Sequence, residues 1–277
     1  MDFSLKWNKY CLDLGDRTHL MGVLNVTPDS FSDGGKYFSP AQAVTHGIAM
    51  AQDGADIIDI GGESTRPYSR RLPADEEMAR VIPVISALSK EIPVPVSIDT
   101  YKSEVARQAV DAGARMINDV WGLKYDPAVA RVAAEGHVPI IVMQNQRDAQ
   151  FEDFFPDLIS SLRWSIELSV GSGVEWNDII IDPGIGFGKT LKQNLEVLRR
   201  LGELKALGRP ILIGPSRKSM VGLVLDLPID QRLEGTAAAV AIGIANGADM
   251  VRVHDTGEMV RVARMSDAII RGRSKEG

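Results

Sequence analysis

The chain has 277 residues, of which 44% are hydrophobic and 25% are charged, and its formal net charge is −6 at pH 7. No Pro/Ser-rich or low-complexity stretch divides it, so we predict a single domain over residues 1–277. The acidic balance, without basic clusters, argues against nucleic acid as a partner. No apolar run reaches the roughly 20 residues of a membrane helix, so we expect no membrane association.

The N-terminus reads MDFSLKWNKY and lacks a basic region followed by an apolar one, so we predict no secretory signal. Cys11 is the only cysteine, which excludes an internal disulfide. It stands among alternating residues, and we interpret it as a packed strand residue rather than a nucleophile. These features together predict a cytoplasmic protein.

The first residues alternate between apolar and polar side chains. Apolar residues recur at Leu5 and Trp7 and again at Leu12 and Leu14, on either side of an Asn-Lys dipeptide. This period of two, interrupted by a turn signal, predicts a small β-hairpin. We expect its role to be structural.

Beyond the hairpin, short β-rich runs alternate with longer helical segments almost to the end of the chain. The predicted strands, in order, are HLMGVLN, DIIDIG, VPVSID, RMIND, PIIVM, DIIID, PILIG and DMVRV. Eight βα units in roughly 250 residues predict an α/β fold, a (β/α)8 barrel of the TIM type, rather than an open doubly wound sheet. The hairpin would then cover the bottom of the barrel.

Two long loops follow the first two predicted strands. The first, in LNVTPDSFSDGG, begins beside Asn25, which can donate to an anion at the strand end. The second, GGESTRP, carries Thr65, Arg66 and Pro67. Their Gly-rich composition favours lids that close over a substrate and exclude water. Ordinary surface loops are the alternative.

Basic residues gather after the seventh and eighth strands. The segment GPSRKSM places Lys218 and Ser219 where a helix should begin, and Arg252 and His254 end the last strand. Loops seven and eight form the usual phosphate site of such barrels, so this cationic patch predicts a phosphate or diphosphate ligand. A lone His would more often be structural, but its position beside Arg252 at a strand end favours function.

Asp99, Asn118 and Asp182 end the third, fourth and sixth predicted strands. A carboxylate can accept two hydrogen bonds from a 2-amino pyrimidinone edge, and an amide can both donate and accept. The set therefore suits a flat, polar heterocycle. Alternatively, the acids pair with Lys or Arg inside the barrel to satisfy a buried network.

The segment DPGIGFGKT resembles a phosphate-binding loop but lacks its spacing, because Gly184 lies one position too close to Lys189. We therefore reject a P-loop. Phe187 is expected to form a wall of the ring site, and Lys189 to begin the following helix.

The chain resembles the dihydropteroate synthase family over nearly its whole length. The segments that carry the resemblance are MGVLNVTPDSFSDGG, DIIDIGGESTRP, VSIDTYKSEVA, GARMINDVWG, IIIDPGIGFGKT, GPSRKSM and ADMVRVHD. The resemblance implies a usually homodimeric (β/α)8 transferase of folate biosynthesis. It would condense 6-hydroxymethyl-7,8-dihydropterin diphosphate with 4-aminobenzoate, with the assistance of Mg²⁺, and release diphosphate and 7,8-dihydropteroate.

The resemblance also implies roles for individual residues. The pterin contacts would be Asp99, Asn118, Met143, Asp182, Phe187 and Lys218. The diphosphate contacts would be Asn25, Arg252 and His254, with Asn25 also serving the metal. The 4-aminobenzoate site and its loops would include Phe31, Asp33, Thr65, Arg66, Pro67 and Ser219. Those closest to the chemistry would be Asp99, Lys218, Arg252 and His254.

The implied mechanism is similar to an SN1 displacement, in which diphosphate leaves first and the arylamine traps a pterin cation. One departure from the family pattern is Gln144, which stands after Met143 where a His is frequent. Two other interpretations stay open: a methyltetrahydrofolate-corrinoid methyltransferase and a pterin-binding relative without catalysis. Sulfonamides, which resemble 4-aminobenzoate, are expected to compete at Thr65, Pro67 and Ser219.

Overall fold

The computed structural model describes residues 3–27, 40–64, 71–146 and 151–272. Its first element is an antiparallel hairpin of β1 (Ser4–Trp7) and β2 (Tyr10–Asp13). Asn8 adopts a left-handed φ of 49° in the turn, a conformation that Asn tolerates better than most residues. The Asn-Lys turn predicted from the sequence is thereby confirmed.

Eight parallel strands follow the hairpin. They are β3 (His19–Asn25), β4 (Ile57–Gly61), β5 (Val96–Asp99), β6 (Met116–Asp119), β7 (Ile140–Met143), β8 (Ile179–Asp182), β9 (Leu212–Ile213) and β10 (Met250–Val253). In the sheet their order is β8-β7-β6-β5-β4-β3-β10-β9. A parallel bridge between Ile181 and Ile211 joins the two end strands, so the sheet curves round into a barrel.

Helices surround the barrel in the described part of the chain. They are α1 (Pro40–Gln52), α2 (Ala74–Glu91), α3 (Ser103–Ala112), α4 (Ala128–Gly136), α5 (Phe154–Gly171), α6 (Leu191–Arg199), α7 (Ser219–Leu225), α8 (Leu233–Ala245) and α9 (Thr256–Arg271). Short 3₁₀ turns lie at Trp176–Asp178, Leu201–Leu207 and Ile229–Gln231. The predicted (β/α)8 barrel with its N-terminal hairpin is confirmed.

Alternation along the strands separates two apolar layers. Residues such as Ile58, Ile60 and Val251 point outward and pack with the helices. The residues between them point into the barrel, where the lowest ring joins the hairpin side chains: Leu5, Trp7, Leu12, Leu14, Met21, Ile57, Met116, Ile141, Ile180, Leu212 and Met250. Burying one such side chain contributes roughly 2 kcal/mol. The hairpin therefore seals the bottom of the barrel, as predicted.

Two local predictions were wrong. Cys11 lies on β2 but is exposed, and its thiol contacts Ser4 and Asp13 rather than the core. Lys189 does not begin a helix, because α6 begins at Leu191 after a capping box formed by Thr190 and Gln193. In the described residues, no helix is long and apolar enough to cross a membrane.

Candidate active site

The inward-facing side chains change from apolar to polar toward the carboxyl ends of the strands. Above the sealed bottom, the strand ends carry an amide, carboxylates, a thioether and a guanidinium. The parallel register sets Gly61 beside Asn25 on one side and Asp99 on the other, and Asp99 beside Asn118. Met143 is likewise the partner of Asp182. Parallel strands thus bring the predicted residues to one mouth of the barrel.

A buried ion-pair network lies at the centre of this mouth. Arg252 donates from Nε to Asp59 Oδ2 at 2.6 Å and from Nη2 to Asp99 Oδ2 at 2.7 Å. Asn118 Nδ2 donates to the same Asp59 oxygen at 2.9 Å. Asp99 is therefore paired with an interior Arg, as the alternative interpretation expected, and this pairing leaves its other oxygen for a ligand. The two carboxylates also hold the pKa of Arg252 above its usual value, although burial acts in the opposite direction.

The strand-end carboxylates have elevated pKa values. Burial raises the pKa of Asp99 to about 7, and the nearby Asp59 charge adds to this effect while Arg252 opposes it. Burial raises the pKa of Asp182 to about 6, although its Oδ1 accepts a hydrogen bond from the Gly184 N–H at 2.7 Å. Strongly perturbed acids in a cleft are typical of functional sites. Both carboxylates are suited to accept hydrogen bonds from a ligand.

One side of the mouth is an apolar wall. Tyr101, Val120 and Met143 are buried together, with Trp121 and Phe187 packed against them. Such a wall suits the face of a flat ring.

A lysine stands over this wall. The Lys218 ammonium lies 4.0 Å from the centroid of the Phe187 ring, and the Lys218 stem packs closely on Gly186. Burial, with a smaller contribution from Arg252, lowers the pKa of Lys218 to about 8. Met143, Phe187 and Lys218 thus lie together, beside the acids that the sequence placed with them.

His254 is held by a serine from the preceding loop. Ser216 Oγ lies 3.0 Å from His254 Nδ1 and accepts the backbone N–H of His254 at 3.2 Å. The Ser216 hydroxyl can donate its proton to Nδ1, and in that arrangement Nε2 is the protonated nitrogen of the neutral ring. Burial and the nearby Arg252 lower the pKa of His254 to about 4, so the ring is neutral at pH 7.

The predicted cationic patch carries less net charge than its composition indicates. Arg217, with a left-handed φ of 57°, turns to form an ion pair with Asp255. Arg252 is paired with two carboxylates, and His254 is neutral. An anion at this rim would therefore meet directed N–H donors more than excess positive charge.

Gln144 and Lys189 form a buried pair beneath the turn that carries Phe187. Lys189 Nζ donates to Gln144 Oε1, to the Gly184 carbonyl at 3.0 Å and to the Phe187 carbonyl at 3.2 Å. Burial lowers the pKa of Lys189 to about 7. Gln144, which is 1% exposed, thus supports the turn through Lys189.

A second ionic cluster joins both flanks of residues 65–70. Lys102 Nζ donates at 2.6 Å to Glu63, to Glu77 and to the Leu72 carbonyl. Tyr101 donates to Glu63 at the same distance. Glu63 and Leu72 lie on opposite sides of the segment, so Lys102 fixes the distance between its ends.

The remaining predicted residues fall into two groups. Ser219 is exposed at the start of α7 and lines a groove of about 510 Å³ with α7 and the loop after it, rather than meeting the strand-end acids. Phe31, Asp33, Thr65, Arg66 and Pro67 lie outside the described residues.

Sequence reasoning missed Asp59, Ser216 as the partner of His254, and the Lys102 cluster. Asp59 stands within the apolar run DIIDIG rather than at its end. Only its position two residues before Gly61, which places it on the inward face of the strand, could have indicated a role in the site. Lys102 follows directly after the strand-end segment IDTY, where a basic residue is easily taken for a solvated helix start.

Taken together, a sealed (β/α)8 barrel with buried acids, an amide, an apolar wall and N–H donors at its mouth defines an enzyme that binds a flat heterocycle beside an anion. A family model described as pterin binding enzyme matches residues 21–254. The chain belongs to this pterin-binding family and, within it, to the dihydropteroate synthases, which are transferases.

The relatives support this placement over most of the chain. A dihydropteroate synthase from Bacillus subtilis is 52% identical over 259 residues, which cover 94% of this chain and 91% of that protein. A Clostridium difficile dihydropteroate synthase, crystallised with pteroic acid, superposes with a TM-score of 0.91 at 50% identity and covers 94% of this chain and 99% of its own. A Xanthomonas albilineans enzyme with 4-aminobenzoic acid gives a TM-score of 0.92 at 40% identity, with coverages of 97% and 98%.

Proposed function

We propose that this protein condenses 6-hydroxymethyl-7,8-dihydropterin diphosphate with 4-aminobenzoate to give 7,8-dihydropteroate and diphosphate. The observation that carries the proposal is the arrangement of Asn118, Asp99 and Arg252 within one hydrogen-bonded network at the barrel mouth. This network brings hydrogen-bond acceptors for a heterocycle next to donors for an anion. The substrate of this reaction carries both a heterocycle, the pterin, and an anion, the diphosphate.

The acids and the amide bind the pterin in this proposal. Asp182 and Asp99 accept hydrogen bonds from the N–H groups of the 2-amino pyrimidinone edge, and Asn118 accepts a further one. Phe187 and Met143 pack on the ring. The carboxylates also stabilise the positive charge that develops on the pterin when the leaving group departs.

The last strand holds the leaving group. Arg252 and the neutral His254, through Nε2, donate hydrogen bonds to diphosphate oxygens, where negative charge accumulates as the bond to carbon breaks. Ser216 keeps the His254 ring in the tautomer that can donate. Lys218 lies between the pterin and diphosphate groups and interacts with both.

We propose Mg²⁺ as a partner of the diphosphate, which Asn25 would hold from the protein side. In the described residues, no group of three or more His, Cys, Asp or Glu side chains is arranged to hold a metal ion. Mg²⁺ commonly takes most of its oxygen ligands from substrate phosphates and water, and a single amide oxygen such as that of Asn25 completes such a set. When bound, the ion neutralises charge on the departing diphosphate.

The chemical step breaks the bond between the exocyclic methylene carbon and the diphosphate oxygen, and the electron pair leaves with diphosphate. The nitrogen lone pair of 4-aminobenzoate then forms the new C–N bond, and the amine releases one proton. No side chain acts as a covalent nucleophile. Thr65, Arg66, Pro67 and Ser219, with Phe31 and Asp33, are proposed to receive 4-aminobenzoate and to exclude water.

The decisive experiment follows diphosphate release and dihydropteroate formation by the purified protein with Mg²⁺, with and without 4-aminobenzoate. The proposal expects release that depends on 4-aminobenzoate and matches the product in amount. Tight binding of the pterin diphosphate without product would indicate a non-catalytic relative. No binding would favour a methyltransferase of the corrinoid type.

We also propose a homodimer built on the late helices. Leu223 on α7, Ile242 on α8, and Met265 and Ile269 on α9 are between 52% and 71% exposed. A cluster of exposed apolar side chains on neighbouring helices is typical of an interface. We further propose that residues 1–277 form one domain. A cytoplasmic location is also proposed, because a single cysteine suits a reducing compartment.

A further inference from the structure

Asp59 is a fully buried acidic side chain inside the barrel mouth. It lies in the middle of β4, is 0% exposed, and faces inward between Ile57 and Gly61. A buried carboxylate is costly unless charge and hydrogen bonds compensate it. Its compensation comes from Asn118 on β6 and Arg252 on β10.

The first partner is an amide. Asn118 Nδ2 donates to Asp59 Oδ2 at 2.9 Å. Because a carboxylate can only accept, this contact selects one of the two orientations of the carboxamide and turns its NH₂ group toward Asp59. The Asn118 oxygen is thereby left as the acceptor for a ligand N–H. Asp59 thus decides which hydrogen-bonding face Asn118 presents.

The second partner is a guanidinium. Arg252 Nε donates to the same Asp59 oxygen at 2.6 Å, while Nη2 reaches Asp99 at 2.7 Å. Two contacts from neighbouring strands fix the plane of the guanidinium. If only Asp99 held Arg252, the group could rotate about that single contact. Asp59 therefore determines the direction in which Arg252 donates.

We propose that Asp59 is a positioning residue that joins the two halves of the substrate site, by orienting Asn118 toward the pterin and Arg252 toward the diphosphate. The inference rests on the proposed function and adds a residue that touches neither substrate half directly. A single buried oxygen holds both groups, so loss of Asp59 affects recognition of both halves together.

The test measures binding of two probes by calorimetry: 6-hydroxymethyl-7,8-dihydropterin alone, and inorganic diphosphate with Mg²⁺. Asn118→Ala is expected to weaken the first probe and Arg252→Gln the second. Asp59→Ala is expected to weaken both, each by about 10- to 100-fold, the loss that accompanies removal of a hydrogen bond to a charged group.

Double variants separate positioning from general damage. If Asp59 acts through its partners, Asp59→Ala adds little to the pterin loss in an Asn118→Ala background, and little to the diphosphate loss in an Arg252→Gln background. Fully additive losses, or a loss confined to one probe, would overturn the proposal. If Asp59→Ala does not fold, Asp59→Asn replaces it, because it keeps the side-chain volume and one acceptor. The same two double-mutant cycles then apply, with smaller expected losses of probe affinity.

Asp267→Asn is the matched control. Asp267 is a buried carboxylate on α9 that accepts hydrogen bonds from Thr18 and Arg271, away from the mouth. Its neutralisation is expected to lower the melting temperature and to leave both probes bound as in the wild type. Equal losses in Asp267→Asn and Asp59→Ala would refute a positioning role. A wild-type protein that binds neither probe would instead overturn the proposed function, and this inference with it.

Discussion

At the scale of single residues, Asp182 sets ligand recognition against stability. Burial raises its pKa to about 6, so the folded state favours the protonated acid. Its contribution to stability is therefore present below the unfolded pKa of about 4 and is lost as the pH rises through about 6. At pH 8, Asp182→Asn should melt at a higher temperature than the wild type, and its free energy of unfolding should be higher by up to about 3 kcal/mol. The melting temperatures of the two proteins should converge near pH 4. The same substitution should weaken pterin binding.

A control of opposite sign is available in Asp56. Hydrogen bonds from Arg17 and His19 outweigh burial and hold the pKa of Asp56 below its usual range. Asp56→Asn should therefore be less stable than the wild type at pH 8, and the gap should narrow as the pH falls. Because the contribution of Asp56 is lost only as the pH falls below the unfolded pKa of about 4, thermal denaturation between pH 2 and pH 8 is needed to check both signs. A lower melting temperature for Asp182→Asn at pH 8 would contradict the argument.

Ser216 offers a test of how His254 is prepared to donate. Ser216→Ala removes the hydroxyl that pairs with Nδ1, so the ring can rotate and change its tautomer. We expect diphosphate binding to weaken by about 10-fold, which corresponds to one net hydrogen bond. Binding of the pterin without diphosphate should not change. Ser169→Ala, which removes a buried hydroxyl inside α5, is the control, and equal loss in both variants would count against the role of Ser216.

At the scale of elements, the Lys102 cluster connects the end of β4, the start of α2 and the start of α3. Lys102→Met removes the ammonium that joins Glu63, Glu77 and the Leu72 carbonyl. Two buried carboxylates then lack their cation, which costs about 3 kcal/mol or more of stability. Because Thr65, Arg66 and Pro67 lie between the joined ends, we expect KM for 4-aminobenzoate to rise more than KM for the pterin diphosphate.

Steady-state kinetics with each substrate varied in turn measure this difference. Lys205→Met is a suitable comparison, because Lys205 pairs with the buried Asp249, whose side chain also accepts the Ile211 N–H. It should reduce stability and leave the ratio of the two KM values unchanged. A proportional rise in both KM values for Lys102→Met would show that the cluster supports the whole site rather than one loop.

The strands illustrate what the sequence could and could not predict. Apolar runs ending in Asp99, Asn118 and Asp182 predict strand positions to within about two residues, since period and polarity determine both the run and its end. The same reasoning fails for Asp59, because an inward polar residue within a run depends on contacts with Asn118 and Arg252 from remote strands. Lys189 was misassigned for the same reason: its carbonyl partners come from the loops after β7 and β8.

At the scale of the whole molecule, the late helices determine the expected assembly. Leu223 and Ile269 are 67% and 71% exposed on α7 and α9. If these helices form the homodimer interface, Leu223→Asp and Ile269→Asp should each lower the mass measured by sedimentation velocity from dimer to monomer at micromolar concentration. Val170→Asp, on the exposed face of α5, should leave the mass unchanged. A wild-type monomer across that concentration range would remove the dimer from the proposal.

The hairpin at the bottom of the barrel has a consequence for kinetics. Because Leu5, Trp7 and Leu14 seal that end, molecules enter and leave the barrel only through the mouth. Asp99, Asn118 and Asp182 lie on the barrel strands, whereas the residues proposed for 4-aminobenzoate follow the strands in the sequence. If 4-aminobenzoate binds outside the pterin, as proposed, it would block the pterin behind it, and we expect pterin diphosphate to bind first and 4-aminobenzoate second. Excess 4-aminobenzoate that occupies the free enzyme would then slow turnover, and saturation with the pterin diphosphate should relieve that inhibition.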